Sequence, residues 1–177
     1  MTNLDDLTIL EQTERYVGYA LDCARTPTGA TGAGGAGRTL RIAGRLYVPA
    51  EPIDGTKPDV TFPTVIISHG FNDTYDHTSE HARYLASRGI VSYVYDFCGG
   101  SVQSHSDGDM LDMSVNTEQA DLQAVASRIR ELPFVDRRRL FLMGCSQGGM
   151  VSAMEGADHA ARLCRHGVVL PGVRHPR

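Results

Sequence analysis

The chain has 177 residues, 41% of them hydrophobic and 21% charged, with a formal net charge of −4; this suits a single globular domain with one substantial core. The acidic balance excludes a nucleic-acid surface or a polybasic membrane patch, and no apolar run approaches the length of a membrane span. Cys23, Cys98, Cys145 and Cys164 form no Cys-x-x-Cys pair and the N-terminus lacks signal-peptide character, so reduced thiols in a cytoplasmic protein are expected, without zinc or disulfides.

Glu14 to Ala20 reads as the first strand. Residues 26–37 then form a Gly-rich hairpin loop. Gly32 to Gly37 formally spells Gly-x-Gly-x-x-Gly, but it leads into a strand instead of joining a strand to a helix, so it is no dinucleotide fingerprint. The strand it enters, Arg38 to Val48, alternates Leu40, Ile42 and Leu46 with polar residues. Phe62 to Ser68 is a short β-branched run, the pattern of a buried central strand, and it ends at His69-Gly70-Phe71. Thr78 to Arg88 is predicted helical, with Ala82 and Leu85 on one side and Gly89 as its stop. His77-Thr78-Ser79-Glu80-His81 at its start spells His-x-x-Glu-His. Two histidines four apart on a helix can share a metal, but no third ligand accompanies them, and a surface helix is the simpler reading.

Ile90 to Tyr95 is the next predicted strand, followed by a polar loop holding Ser101, Ser104, His105 and Ser106. Ser114 to Leu132 is an amphipathic helix, with Ala120, Leu122, Val125, Ala126 and Ile129 on one face, and Pro133 ends it. Arg137-Arg138-Arg139 reads as a solvated loop before a strand from Arg139 to Met143. A helix follows from Gly148 to Ala161, and Gly167 to Leu170 opens one further strand. The alternation predicts an α/β architecture, a mostly parallel sheet with helices on both faces.

Gly144-Cys145-Ser146-Gln147-Gly148 joins the strand at Met143 to the next helix. This strand–turn–helix layout around Gly-x-Ser-x-Gly is that of a nucleophile elbow, which pushes a serine hydroxyl out of the end of a buried strand. Side chains at Gly144 or Gly148 would collide with neighbouring backbone. The first amides of the following helix face the hydroxyl's side of the turn and suit a developing oxyanion. Cys145 is expected to point into the core as an inert thiol.

These motifs, in order, resemble the α/β-hydrolase superfamily, and within it the dienelactone-hydrolase and cinnamoyl- or feruloyl-esterase-like branch. The resemblance runs from about Arg38 to Ala153. It rests on His69-Gly70-Phe71, Tyr95 to Ser101, Asp112-Met113-Ser114-Val115 with Thr117-Glu118 and Asp121-Leu122, Leu132 to Asp136, and Gly144 to Gly149. It implies that Ser146 attacks a carboxylic ester to give an acyl-enzyme, with the backbone N–H groups of Gln147 and Phe71 as the oxyanion hole. His69 would then order the oxyanion loop by hydrogen bonding, and no cofactor or metal is required. The expected ligand is a small-molecule ester. In the family the triad acid and histidine follow the serine, on two further strand–helix units. Here the remaining residues are Asp158 and His159, expected within the helix after the elbow, then Cys164, Arg165, His166 and His175. Of these only His175, after the last strand, is placed to substitute as base. The expectation is therefore a fold incomplete at its C-terminus, in which the triad acid and base are not identifiable. An inactive remnant, or a serine peptidase of the same fold, are the alternatives.

Overall fold

Phe62–Ser68 forms the strand around which the molecule is built, because its β-branched run has both neighbouring strand positions filled. The computed structural model describes residues 4–27, 38–50, 60–158 and 168–170. Its strands are β1 (Ile9–Gln12), β2 (Tyr16–Ala20), β3 (Cys23–Arg25), β4 (Leu40–Ile42), β5 (Gly44–Pro49), β6 (Phe62–Ser68), β7 (Val91–Tyr95), β8 (Val135–Cys145) and β9 (Val168–Leu170). The helices are α1 (Tyr75–Ala86), α2 (Val115–Arg130) and α3 (Gln147–Asp158), with short 3-10 turns at Leu4–Asp6 and Met110–Asp112. Among the described residues no helix is long and apolar enough to cross a membrane.

The main sheet has the order β1-β2-β5-β7-β6-β8-β9. β1, β2 and β5 run antiparallel up to the β5–β7 pair, and β7, β6, β8 and β9 are mutually parallel. Because successive strand residues face opposite sides, the sheet divides two cores. Ile66, Leu140, Leu142, Tyr93 and Tyr95 pack with Leu122, Val125 and Ile129 of α2 and Val151 of α3. Ile67, Val94, Met143 and Tyr47 pack on the other face with Tyr75, Ala82 and Ala86 of α1. Helices thus cover both faces, as the α/β rhythm predicts.

The differences from the predicted elements have physical causes. Arg38 to Val48 is not one strand. It breaks at Ala43, and β4 pairs with β3 as a separate two-stranded ribbon while β5 joins the main sheet. The break falls where Gly44 passes so close to Tyr93 that a Cβ would lie 2.0 Å from the phenol oxygen. Tyr93 itself donates to Leu21 O at 2.7 Å, just before β3 and at the same end of the ribbon. α1 begins at Tyr75, three residues before the predicted start, because the buried Asp96 carboxylate accepts the Tyr75 N–H at 2.6 Å. That cap comes from a distant loop and leaves no local signal. Arg137, Arg138 and Arg139 lie inside β8, with their side chains exposed, and are not a loop. β1 and β3 carry no clear alternation and are additions to the predicted set. Residues 28–37, most of the Gly-rich segment, lie outside the described residues, as do Cys164 and Gly167.

The helix predicted from Ser114 is closely matched. Ser114 is the N-cap of α2, its hydroxyl accepting the Thr117 N–H at 3.2 Å while Thr117 Oγ1 accepts the Ser114 N–H at 2.8 Å. This reciprocal pairing satisfies two otherwise orphaned donors and fixes where α2 starts.

Candidate active site

β8 ends at Cys145 and α3 begins at Gln147, which leaves Ser146 alone in the turn between them. Its φ is +50°, in the left-handed region that a non-glycine residue avoids unless its surroundings impose it. Two glycines impose it here. A Cβ on Gly144 would lie 2.3 Å from the Gly148 carbonyl, and a Cβ on Gly148 would lie 2.3 Å from His69 O and 2.6 Å from Ser68 O. The obstructing atoms are all backbone, so neither position can yield by a side-chain rotation. The elbow is thereby locked against the end of β6, in the register that sets Ser68 opposite Gly144.

The same contact brings the His69-Gly70-Phe71 loop to the serine. A Cβ on Gly70 would sit 3.4 Å from Ser146 Cβ, so this loop runs directly beside the hydroxyl's base. Phe71 follows with an exposed ring, and Asn72 takes a second left-handed φ of +51°. Gln147 sits on the other side of Ser146 as the first residue of α3, where an amide has no intrahelical acceptor.

His69 is 1% exposed and bonded at both ring nitrogens. Nε2 accepts the Phe97 N–H at 3.1 Å, which requires the proton to be on Nδ1, and Nδ1 donates to Gly70 O at 2.7 Å. Burial holds its pKa below the usual histidine value. A neutral ring in this tautomer braces the loop and has no nitrogen left to act as base.

Two acidic residues to which the sequence assigned no role organise the surroundings. Asp96, fully buried after β7, accepts Tyr75 N–H through one oxygen and through the other both His105 N–H (2.7 Å) and His105 Nδ1 (2.8 Å). His105 in turn stacks on Tyr75, over which Arg45 lies on the β5 side of the sheet. Glu118, in the first turns of α2, accepts Gln147 Nε2 at 2.7 Å. Both lie in segments that carry the resemblance, Tyr95 to Ser101 and Thr117-Glu118, but the motif by itself assigns neither a partner, because Tyr75, His105 and Gln147 are distant in sequence.

Of the histidines among the described residues, none is hydrogen-bonded to Ser146: His69 is occupied, His105 pairs with Asp96, and His77 pairs with Asp73. The described residues contain no group of three His, Cys, Asp or Glu able to hold a metal, so His77 and His81 gain no third ligand. Asp158 ends α3 and accepts Gln119 Nε2 from α2 at 2.9 Å, far along the helix from the elbow. His159, His166 and His175 lie outside the described residues. Cys145 is half-buried and not a core residue, because it is the last residue of β8, where the sheet gives way to the turn; burial still raises its pKa.

A family model described as serine aminopeptidase, S33, matches residues 61–173. Among solved structures, the chain is similar to DcsB in complex with its substrate analogue, at 25% identity and TM-score 0.63, over 86% of this chain and 46% of that one. Est1E from Butyrivibrio proteoclasticus, with ferulic acid bound, is 22% identical with TM-score 0.59, over 70% of this chain and 46% of that one. The ferulic acid esterase from Streptomyces cinnamoneus is 17% identical with TM-score 0.64, over 86% of this chain and 58% of that one. The chain thus spans less than two thirds of each of these structures. No curated protein matches it.

Proposed function

Because this chain belongs to the serine aminopeptidase, S33, family of α/β-hydrolases, we propose that it hydrolyses small carboxylic esters through an acyl-enzyme on Ser146. The observation that carries this reading is Ser146 at φ +50°, wedged between a parallel strand and a helix by two glycines that tolerate no side chain. Ser146 Oγ attacks the ester carbonyl, and the negative charge moves to the carbonyl oxygen. The Gln147 and Phe71 amides stabilise that oxyanion, and collapse expels the alcohol; water then releases the acid. A base must take the serine proton, and the described residues do not supply one. The ferulic acid bound to Est1E is a carboxylic acid, the kind of product that ester hydrolysis releases, and it supports a carboxylic ester as substrate; the buried free thiols Cys23 and Cys98 suit a reducing, cytoplasmic setting.

The family's description favours one second reading, cleavage of an amide next to a free N-terminus. The same serine would serve both, so the substrate panel decides between them. The purified chain should add one phosphonyl group on treatment with a fluorophosphonate, seen by intact mass, and Ser146→Ala should not. No adduct on the native chain would sink the serine-hydrolase reading. Faster release from p-nitrophenyl acetate than from an aminoacyl p-nitroanilide favours the esterase; the reverse order favours the peptidase.

A further inference from the structure

Glu118 is 1% exposed, yet only one of its carboxyl oxygens is used. Oε2 accepts Gln147 Nε2 at 2.7 Å, while Oε1 is buried with no hydrogen-bond partner. Burial pushes its carboxyl above the usual range, with the neighbouring Asp121 adding to the rise. A residue serving only to fill this space would be apolar, since a half-satisfied buried carboxyl is destabilising. The one thing it holds is the side chain of the residue directly after Ser146. Gln147 is the first residue of a helix, where amides lack intrahelical acceptors and the backbone frays most readily. Beside the close contact of Gly148 with the end of β6, its side chain ties that backbone to α2, which is itself anchored by the Ser114–Thr117 capping box one turn earlier. Met113 Sδ, 3.9 Å from Gln147 Nε2, closes the other side.

We propose that Glu118 is a positioning residue, which holds Gln147 so that its backbone N–H stays aimed at the oxyanion formed on the Ser146 adduct. This rests on the serine-hydrolase reading, and it assigns Glu118 no contact with substrate. The bond is between a buried acceptor and a primary amide, so glutamine can replace glutamate there and an apolar residue cannot.

The test uses the full chain and a fluorophosphonate, reading separately the limiting labelling rate and the concentration for half-maximal rate. Glu118→Met, which keeps the volume, and Glu118→Ala should lower the limiting rate roughly tenfold to a hundredfold, the cost of a small misplacement at a reacting centre. The half-maximal concentration should stay the same, and Glu118→Gln should label within a few-fold of the native chain. Glu118→Ala and Gln147→Ala should not add, because they break one link. A Glu118→Met variant that labels at the native rate, or additive losses, would overturn the assignment. If the native chain takes no label, the serine-hydrolase reading fails and the Gln147 backbone amide resonance decides the positioning separately. A resonance moved by Glu118→Met and restored by Glu118→Gln supports it; one unmoved by either overturns it.

Discussion

At the scale of one residue, His69 shows how a buried ring is fixed by its partners. It stands beside the serine, but both nitrogens are committed, Nδ1 as donor to Gly70 O and Nε2 as acceptor from Phe97 N–H. Protonating the ring would break the second bond and bury a charge. Its pKa is lowered from 6.5 by burial, so below that value the unfolded chain takes up a proton more readily than the folded one. The stabilisation it contributes is therefore complete above the unfolded value and is lost as pH falls through the folded value. Urea midpoints at about pH 7.5 and about pH 5 should fall less for His69→Gln than for the native chain, since glutamine can accept the Phe97 amide without titrating. Comparing the two proteins removes the contributions of Asp121 and Glu118, which both retain. An equal fall in both would show that His69 does not titrate as argued.

The elements are held in place by polar links that join distant segments. Asp121, fully buried on α2, accepts Arg25 Nε at 2.5 Å from the β3–β4 ribbon and the Cys98 N–H at 2.8 Å from the loop after β7. Burial raises its pKa more than these two partners lower it, so the site is one in which desolvation is only partly offset. Removing one member of such a pair leaves the other charge stranded: the Arg25 side chain is only 12% exposed. Asp121→Ala should therefore cost about 3–5 kcal/mol in urea unfolding. A loss below about 1 kcal/mol would mean that Arg25 simply swings into water, as exposed pairs do. By contrast Arg139–Asp136, on the surface of β8, is expected to contribute little. The amphipathic pattern showed the inward face of α2, but Asp121's two partners lie 96 and 23 residues away and had no local trace.

At the scale of the whole molecule, one sheet divides two cores and couples them. Ile66 and Ile67 are adjacent on β6, both fully buried, and face opposite sides, the first toward α2 and α3 and the second toward α1. Truncating either to alanine should cost about 2–5 kcal/mol, from lost burial and the cavity left behind. Because both residues belong to the strand that carries the β7 and β8 ladders, both losses should appear in a single transition. The chain has no tryptophan, and tyrosines sit in both cores, Tyr93 and Tyr95 in one and Tyr47 and Tyr75 in the other. Tyrosine fluorescence and far-UV circular dichroism should therefore give coincident curves in both variants. Separate curves for Ile67→Ala would show that the α1 face unfolds on its own.

The sequence by itself determined the parallel strands β6 and β7, the start of α2 at Ser114, and the strand–turn–helix around Ser146. Each depends on local chemistry: β-branched runs, a hydroxyl three residues before its partner, and glycines where a side chain has no room. Tertiary structure alone decided that Gly148 rests on the carbonyl of His69, that Asp96 starts α1, and that Glu118 holds Gln147. These contacts join residues 79, 21 and 29 positions apart, brought together by strand order and helix packing. Periodicity shows which face of an element is apolar, but not which distant polar atom will meet it there.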